Sequence, residues 1–329
     1  MSASPAPLGE FGRIARHFRP LAAGFDGARD LRDDAALLRP PAGCELVVTT
    51  DAIVAGVHYV GDETAADVAA KLVGVNLSDL AAMGADPYCY TLTLALPRDH
   101  DDAWVAAFAE ELGRAQERYG WRLAGGDSVS TPGPACLTLT GFGLTPQGAA
   151  LGRGGARDGD DLWVSGAIGD GLLGLEAARA HAFGEAADRL IARYRRPTPR
   201  LALGRALRGV AHAALDVSDG LIADAGHLAS ESGLTAEIRT PDVPLSPEAA
   251  EILADDPARF TELLTGGDDY ELLFAAAPEA RAQVAAAAHA AETPVARIGR
   301  LQAGEAGLVR AMDADGASIA IARPGYRHG

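Results

Sequence analysis

The sequence predicts a two-domain protein of the α/β (α+β) class, and three observations carry that prediction. Its 329 residues, 48% of them hydrophobic, suffice for two ordinary cores rather than one. Short β-branched or alternating runs are interleaved with longer amphipathic ones, the pattern of sheets layered with helices. A glycine- and arginine-rich stretch at residues 151–159 interrupts that pattern and sets domain limits at 1–149 and 150–329.

Residues 10–19 read as a short helix, followed by a polar, glycine-containing loop that ends in Asp33 and Asp34. The β-branched run 46–50 reads as a strand delivering Thr49, Thr50 and Asp51 at its end, where sites are commonly built. Residues 54–59, with Gly56 and His58, lead to a nearly all-apolar helix over 69–84. Thr64 is its candidate N-cap, and Gly84 stands where a left-handed C-terminal residue belongs. Val68, Leu72, Val75 and Asp79 share one stripe, so the acid falls on the face expected to turn inward. Such a carboxylate needs a cation, a metal or strong donors beside it; a cap or a packing-seam ion pair explains it equally well. Residues 90–96 alternate as a strand, 102–119 form an amphipathic helix stopped by Gly120, and 137–143 form another strand.

Beyond the boundary, 162–165 read as a strand and 172–181 as a helix. Gly166, Gly169 and Gly171 between them offer backbone able to cradle phosphate, a weak signal because many strand-to-helix turns look alike. A helix over 200–212 and a strand over 214–217 follow. Asp216, Ser218 and Asp219 then precede a helix to Ser232, with Asp219 as the expected N-cap. Gly266, Gly267, Asp268 and Asp269 lead into a strand over 270–275, and the tail from Pro278 holds one helix and short strands.

The formal charge of −16 argues against sequence-independent nucleic-acid binding, which needs basic side chains to neutralise phosphate. Cys44, Cys89 and Cys136 are far apart with no CxxC, so neither a disulfide framework nor a zinc knuckle is expected. The first twelve residues lack a basic region followed by an apolar run, and no stretch is apolar for membrane-spanning length. A soluble cytoplasmic protein with no membrane partner is the expectation. Among 29 basic side chains Lys71 is the sole lysine, a compact ammonium suited to phosphate, or a survivor by chance.

Short acidic turns recur along the chain: Asp33 with Asp34, Thr49 to Asp51, Ser78 with Asp79, Gly126 with Asp127, Asp216 to Asp219, and Asp268 with Asp269. An Asp after Gly or Ser is ordinary turn chemistry, so each alone is weak. Together, at junctions of apolar elements with loops, they describe an oxygen-ligand site for a hard cation, for which Mg²⁺ completed by water and phosphates is the better fit and Ca²⁺ an open alternative. GxxxxGK[ST] and the protein-kinase signatures are absent, so phosphates would be held by metals and backbone amides, with Arg153 as a possible clamp.

Five of these stretches carry a resemblance: TTDAIVAGVHY at 49–59, VNLSDLAAMGADP at 75–87, AGGDS at 124–128, LDVSDGLIAD at 215–224 and GGDDYEL at 266–272. In order and spacing they resemble the motifs of the bacterial thiamine-monophosphate kinase family, of the aminoimidazole ribonucleotide synthetase (PurM-like) superfamily. The resemblance implies a PurM-like N-terminal mixed sheet with flanking helices that dimerises, a C-terminal α/β domain, and a homodimer. It implies transfer of the ATP γ-phosphate to thiamine monophosphate, with several Mg²⁺ ions and no covalent nucleophile. By motif, Asp34, Thr49, Thr50, Asp51, Asp79, Asp127, Asp216 and Asp219 match magnesium ligands. Gly126, Asp127, Arg153 and Ser218 match nucleotide contacts, His58 and Asp268 match substrate contacts, and Lys71 is a candidate for a charge role. Three positions depart: Arg32 replaces a glycine, Asp268 is one methylene shorter than the family's Glu, and Arg323 stands where an aromatic ring is usual. The competing readings are another ATP-dependent member of the superfamily, whose reactive cysteine is not seen here, and a protein that binds nucleotide or thiamine phosphate without turnover.

Overall fold

The structure, a computed structural model, describes residues 9–98 and 100–326. The N-terminal stretch read above for a leader lies largely outside them, as does the end of the polar tail. The chain divides into two compact units, one built from the chain up to Asn76 together with Pro87–Leu144, the other from Leu77–Asp86 together with everything from Thr145 on.

In the first unit, helix α1 spans only Glu10–Arg13 and passes into a π turn, Ile14–Phe18, and 3-10 turns at Arg19–Ala22 and Asp26–Leu31. Strand β1 is Cys44–Val54, helix α2 Ala65–Ala82, strand β2 Asp86–Pro97, helix α3 Asp102–Tyr119, strand β3 Arg122–Thr131 and strand β4 Cys136–Pro146. The four strands lie in the order β1-β4-β2-β3. Two helices form where their caps predict. The Thr64 hydroxyl accepts the Asp67 N–H at 3.1 Å, and Asp101 accepts the Trp104 N–H at 2.8 Å, while Gly120 closes α3 at φ 76°. The sheet buries Leu92, Leu94, Leu137 and Leu139 and α3 buries Phe108 and Leu112, each apolar side chain contributing about 1.5–3 kcal/mol.

Two expectations are corrected here. Asp51 is not at a strand end, because β1 continues through Ala52 to Val54. The Gly-Gly-Asp at 125–127 is not a turn but the middle of β3, parallel to β2. Gly126 lies opposite Leu92, and a Cβ there would stand 2.0 Å from the Leu92 carbonyl oxygen, so the glycine is required by strand packing alone.

The second unit holds strand β5 (Asp161–Ser165), helices α4 (Asp170–Arg179), α5 (Glu185–Arg195) and α6 (Leu201–Ala206), strand β6 (Ala213–Asp216), helix α7 (Leu221–Glu231) and strand β7 (Thr235–Arg239). Helices α8 (Pro247–Asp255) and α9 (Phe260–Thr265), strand β8 (Leu272–Ala276), helix α10 (Arg281–Ala290) and strands β9 (Val295–Gln302), β10 (Val309–Met312) and β11 (Ser318–Ile319) complete it. The strands form one mixed sheet, β11-β10-β7-β9-β5-β8-β6. Strand β8 is buried along its whole length and pairs antiparallel with β5 and β6. Its alternate residues feed two cores: Leu273 and Ala275 join Leu215, Leu228 and Ile298, while Leu272 and Phe274 join Leu203, Leu207 and Val284. The expected helix over 200–212 is cut to α6, because Gly209 turns at φ 72° before β6 begins.

The last turns of α2 belong to this unit and are clamped by α6. A Cβ on Gly204 would stand 1.9 Å from the Ala81 carbonyl oxygen, so the two backbones touch. Arg208 donates to the Gly84 carbonyl and, at 2.9 Å, to Asp86. From Lys71 to Ala82 every residue of α2 is buried except Asp79. The inward-facing carboxylate expected from the stripe is therefore the one partly exposed group over this stretch of the helix.

Candidate active site

In the first unit Asp34, Gly126 and Asp127 line one cleft together with Asp33 and Ser128, over a floor that includes Ile14, Phe18, Leu92 and Leu94. Apolar floor and acidic rim suit a ligand with a flat hydrophobic part and an anionic part neutralised by cations. Both Asp34 and Asp127 are exposed.

Thr49 and Asp51 alternate with the buried Val47 and Ile53 on β1, so their side chains share one face of the sheet. Thr50 points to the other face, where its hydroxyl lies 3.2 Å from the Leu139 carbonyl and 3.1 Å from the Thr140 hydroxyl. The strand thus separates the Thr50 side chain from its two neighbours. The Asp51 N–H donates to Asn76 Oδ1 at 3.1 Å, and the Asn76 amide donates to the Leu72 carbonyl, fixing β1 to α2 within this unit. His58 Nδ1 accepts the Val54 N–H at 3.1 Å, which leaves the proton of the neutral ring on Nε2 as a donor. Lys71 is only 2% exposed.

In the second unit the acidic residues meet at the end of β6. The buried Ser78 hydroxyl donates to Asp216 Oδ2 at 2.6 Å, bringing the residue next to Asp79 onto a carboxylate only 4% exposed. The following turn is not capped by Asp219. Asp224 of α7 reaches back and accepts the N–H groups of Ser218, Asp219 and Gly220, each at 3.1 Å. Burial, then the neighbouring Asp219 charge, push the Asp224 carboxyl up to about 7. Capping by Asp224 frees the Asp219 side chain for another task. Its carboxylate stands with Asp224 and His227, their ligand atoms all within 4.8 Å of one another.

The loop before β8 lies on the same turn. The Asp268 N–H donates to the Ser218 carbonyl at 2.9 Å and the Tyr270 N–H to the Val217 carbonyl at 2.8 Å. The C-terminal tail arrives beside them, with the Tyr326 N–H donating to the Asp219 carbonyl at 2.9 Å. Arg323, three residues earlier, is exposed. Arg153 is also exposed, in a loop whose Gly152 carbonyl accepts the Ala214 N–H of β6 at 2.8 Å. Asp216, Ser218, Asp219 and Asp268 therefore form one connected group, with Asp79 attached through Ser78.

The glycine-rich turn at 166–171 is not a phosphate cradle. The N–H groups of Gly169 and Gly171 at the start of α4 are taken by the carboxylate of Asp269 at 2.9–3.0 Å. The residues that sequence reasoning missed are the holders: Asp224, Asp269 and Glu271. Their only signal was adjacency to the motifs; their partners lie a hundred residues away in the case of Gly169 and Asp269.

Family models for AIR synthase related proteins match both parts of the chain, the N-terminal domain over residues 32–145 and the C-terminal domain over 157–310. The thiamine-monophosphate kinase of Caulobacter vibrioides is 44% identical over 306 residues, covering 91% of this chain and 86% of its own. That of Salmonella typhimurium is 41% identical over 326 residues, covering 97% and 98%. The crystal structure of thiamine-monophosphate kinase from Stenotrophomonas maltophilia superposes with a TM-score of 0.80 at 40% identity, covering 88% of this chain and 91% of that one. AaThiL, solved in complex with AMPPCP and TMP, superposes at 0.78 with 32% identity, covering 98% and 97%. Hydrogenase maturation protein HypE, at 20% identity and 0.77, shares the fold. The chain belongs to the AIR synthase related family and, within it, to the thiamine-monophosphate kinases.

Proposed function

We propose that this protein is an ATP-dependent kinase that phosphorylates thiamine monophosphate to thiamine diphosphate. The observation that carries the reading is that each unit groups carboxylate and hydroxyl oxygens at the motif positions, in a chain 44% identical to a thiamine-monophosphate kinase. An oxygen of the acceptor phosphate attacks the γ-phosphorus of ATP. The new P–O bond forms as the bond to the β–γ bridging oxygen breaks, and ADP leaves. Both reactants are anions, so positioning and neutralisation supply most of the catalysis.

Asp34, Asp127, Asp79 and Asp219, exposed or half-exposed oxygen donors, fit a hard cation that keeps part of its water. With Thr49, Thr50, Asp51 and Asp216 they are the proposed Mg²⁺ ligands, Thr50 through its main chain because its side chain faces away. Bound Mg²⁺ would offset the phosphate charge. Gly126, Arg153 and Ser218 are assigned to the nucleotide. His58, donating from Nε2, is assigned with Asp268 and Arg323 to thiamine monophosphate. Lys71 is retained for a charge role. The domain limits 1–149 and 150–329 remain the proposed functional division.

A homodimer is proposed on the exposed face of β1, where Leu46, Val48, Thr50 and Ala52 present an apolar and threonine surface. The protein is proposed to work in the cytoplasm; among the described residues no helix is long and apolar enough to cross a membrane.

Incubation with ATP, Mg²⁺ and thiamine monophosphate, followed by chromatography, should yield thiamine diphosphate in step with ADP. Binding of either ligand without product would replace the kinase by a binding protein.

A further inference from the structure

The loop between α9 and β8 is anchored from beneath at alternate residues. Asp269 accepts the Gly169 and Gly171 N–H groups, and its neighbour Glu271 accepts the Ser165 hydroxyl at 2.6 Å, Arg193 at 2.9 Å and the guanidinium of Arg200. Both acids are buried. Between and beside these anchors, Asp268 and Tyr270 adopt φ of 70° and 51°, a left-handed region that non-glycine residues avoid. Backbone outliers at two positions that the protein holds with this many buried bonds call for a return. In an extended strand the side chains of residues i and i+2 run parallel, about 7 Å apart. Here, with both residues left-handed, the Tyr270 hydroxyl reaches back two residues and donates to Asp268 Oδ1 at 2.9 Å.

We infer that Tyr270 is a positioning residue, whose hydroxyl fixes the Asp268 carboxylate in the orientation that meets thiamine monophosphate. The inference rests on the assignment of Asp268 to that substrate. It explains how an aspartate serves where the family carries the longer glutamate: the phenol removes the rotamer freedom of a short side chain. The strained backbone is what makes the bond reachable, and Asp269 and Glu271 are what hold the strain.

The test is steady-state kinetics on the full chain for Tyr270→Phe, Asp268→Ala and the double variant. Tyr270→Phe should raise KM for thiamine monophosphate about tenfold, the scale of one hydrogen bond to a charged group, with kcat and the KM for ATP within about twofold. In the double variant the loss of the hydroxyl should add nothing to Asp268→Ala. Direct calorimetric titration of each variant with thiamine monophosphate should show the same order of affinities. If Asp268→Ala raises KM but Tyr270→Phe does not, or if the two effects add, the positioning role is overturned while the substrate assignment stands. If Asp268→Ala leaves KM unchanged, the assignment itself fails, and the inference with it.

Discussion

Asp127 of the first unit and Asp269 of the second come from patterns that read alike, yet they stand in opposite circumstances. Asp127 and Asp34 are exposed on the rim of a cleft. Asp224 and Asp269 are buried and bonded to backbone N–H groups of their own unit. The difference separates acids proposed to hold a cation from acids that shape the loops around them. Open carboxylates can meet a ligand; held ones satisfy the backbone around them.

The comparison breaks most clearly at Asp127. Asp127→Asn should lower kcat/KM by at least about a hundredfold, the scale of losing an electrostatic contact to a phosphoryl group, while thermal melting stays unchanged. A melting shift instead of a kinetic one would move Asp127 among the held acids. Ser78→Ala should do the reverse. Leaving the buried Asp216 short of a 2.6 Å bond should cost about 1.5–3 kcal/mol in urea denaturation, with activity falling as a consequence. Lys71→Arg introduces a larger, planar group at a position 2% exposed, and should cost about 1–3 kcal/mol by overpacking. Activity lost beyond the unfolded fraction would support its charge role, and activity fully accounted for by stability would remove it.

The mildest effect is a slope with pH. Burial first, with the nearby Asp170 and Glu271 charges, pushes the Asp269 carboxyl up from 3.8 to about 8. The folded chain therefore holds a proton that the unfolded chain has lost, so the stabilisation is complete below about pH 4 and declines as pH rises to about 8. Melting temperature should fall between pH 6 and 8.5 by a few degrees more than it does in Asp269→Asn. Parallel curves for the two proteins would show that Asp269 ionises freely.

Much of the fold was legible where the signal is local. Thr64 and Asp101 cap α2 and α3 through bonds to residues three positions on, and Gly120 stops α3 without outside help. Strand β3 was not legible, because Gly-Gly-Asp carries turn chemistry and becomes a strand only once β2 lies beside it. The site divides in the same way. The motif acids were visible in the sequence, and the family resemblance placed the chain among the thiamine-monophosphate kinases, to which it belongs. Nothing in LDVSDGLIAD indicates that Asp224, not Asp219, closes the turn, since the choice depends on a helix folding back over three amides. Ser-Asp and Gly-Gly-Asp occur in both halves, at 78–79 and 125–127 and again at 218–219 and 266–268, yet their backbones differ. Asp79 is helical and Asp219 lies in a turn, while Asp127 is in a strand and Asp268 is left-handed.

The neutral Asp269 has a further consequence for how this acidic protein behaves in solution. Near pH 7 the folded chain carries roughly one negative charge fewer than its formal −16, with the proton lodged beneath the loop that holds Asp268. Unfolding sets that proton free. Denaturation in weakly buffered solution should therefore acidify the medium, and the enthalpy measured on melting should vary with the ionisation heat of the buffer chosen.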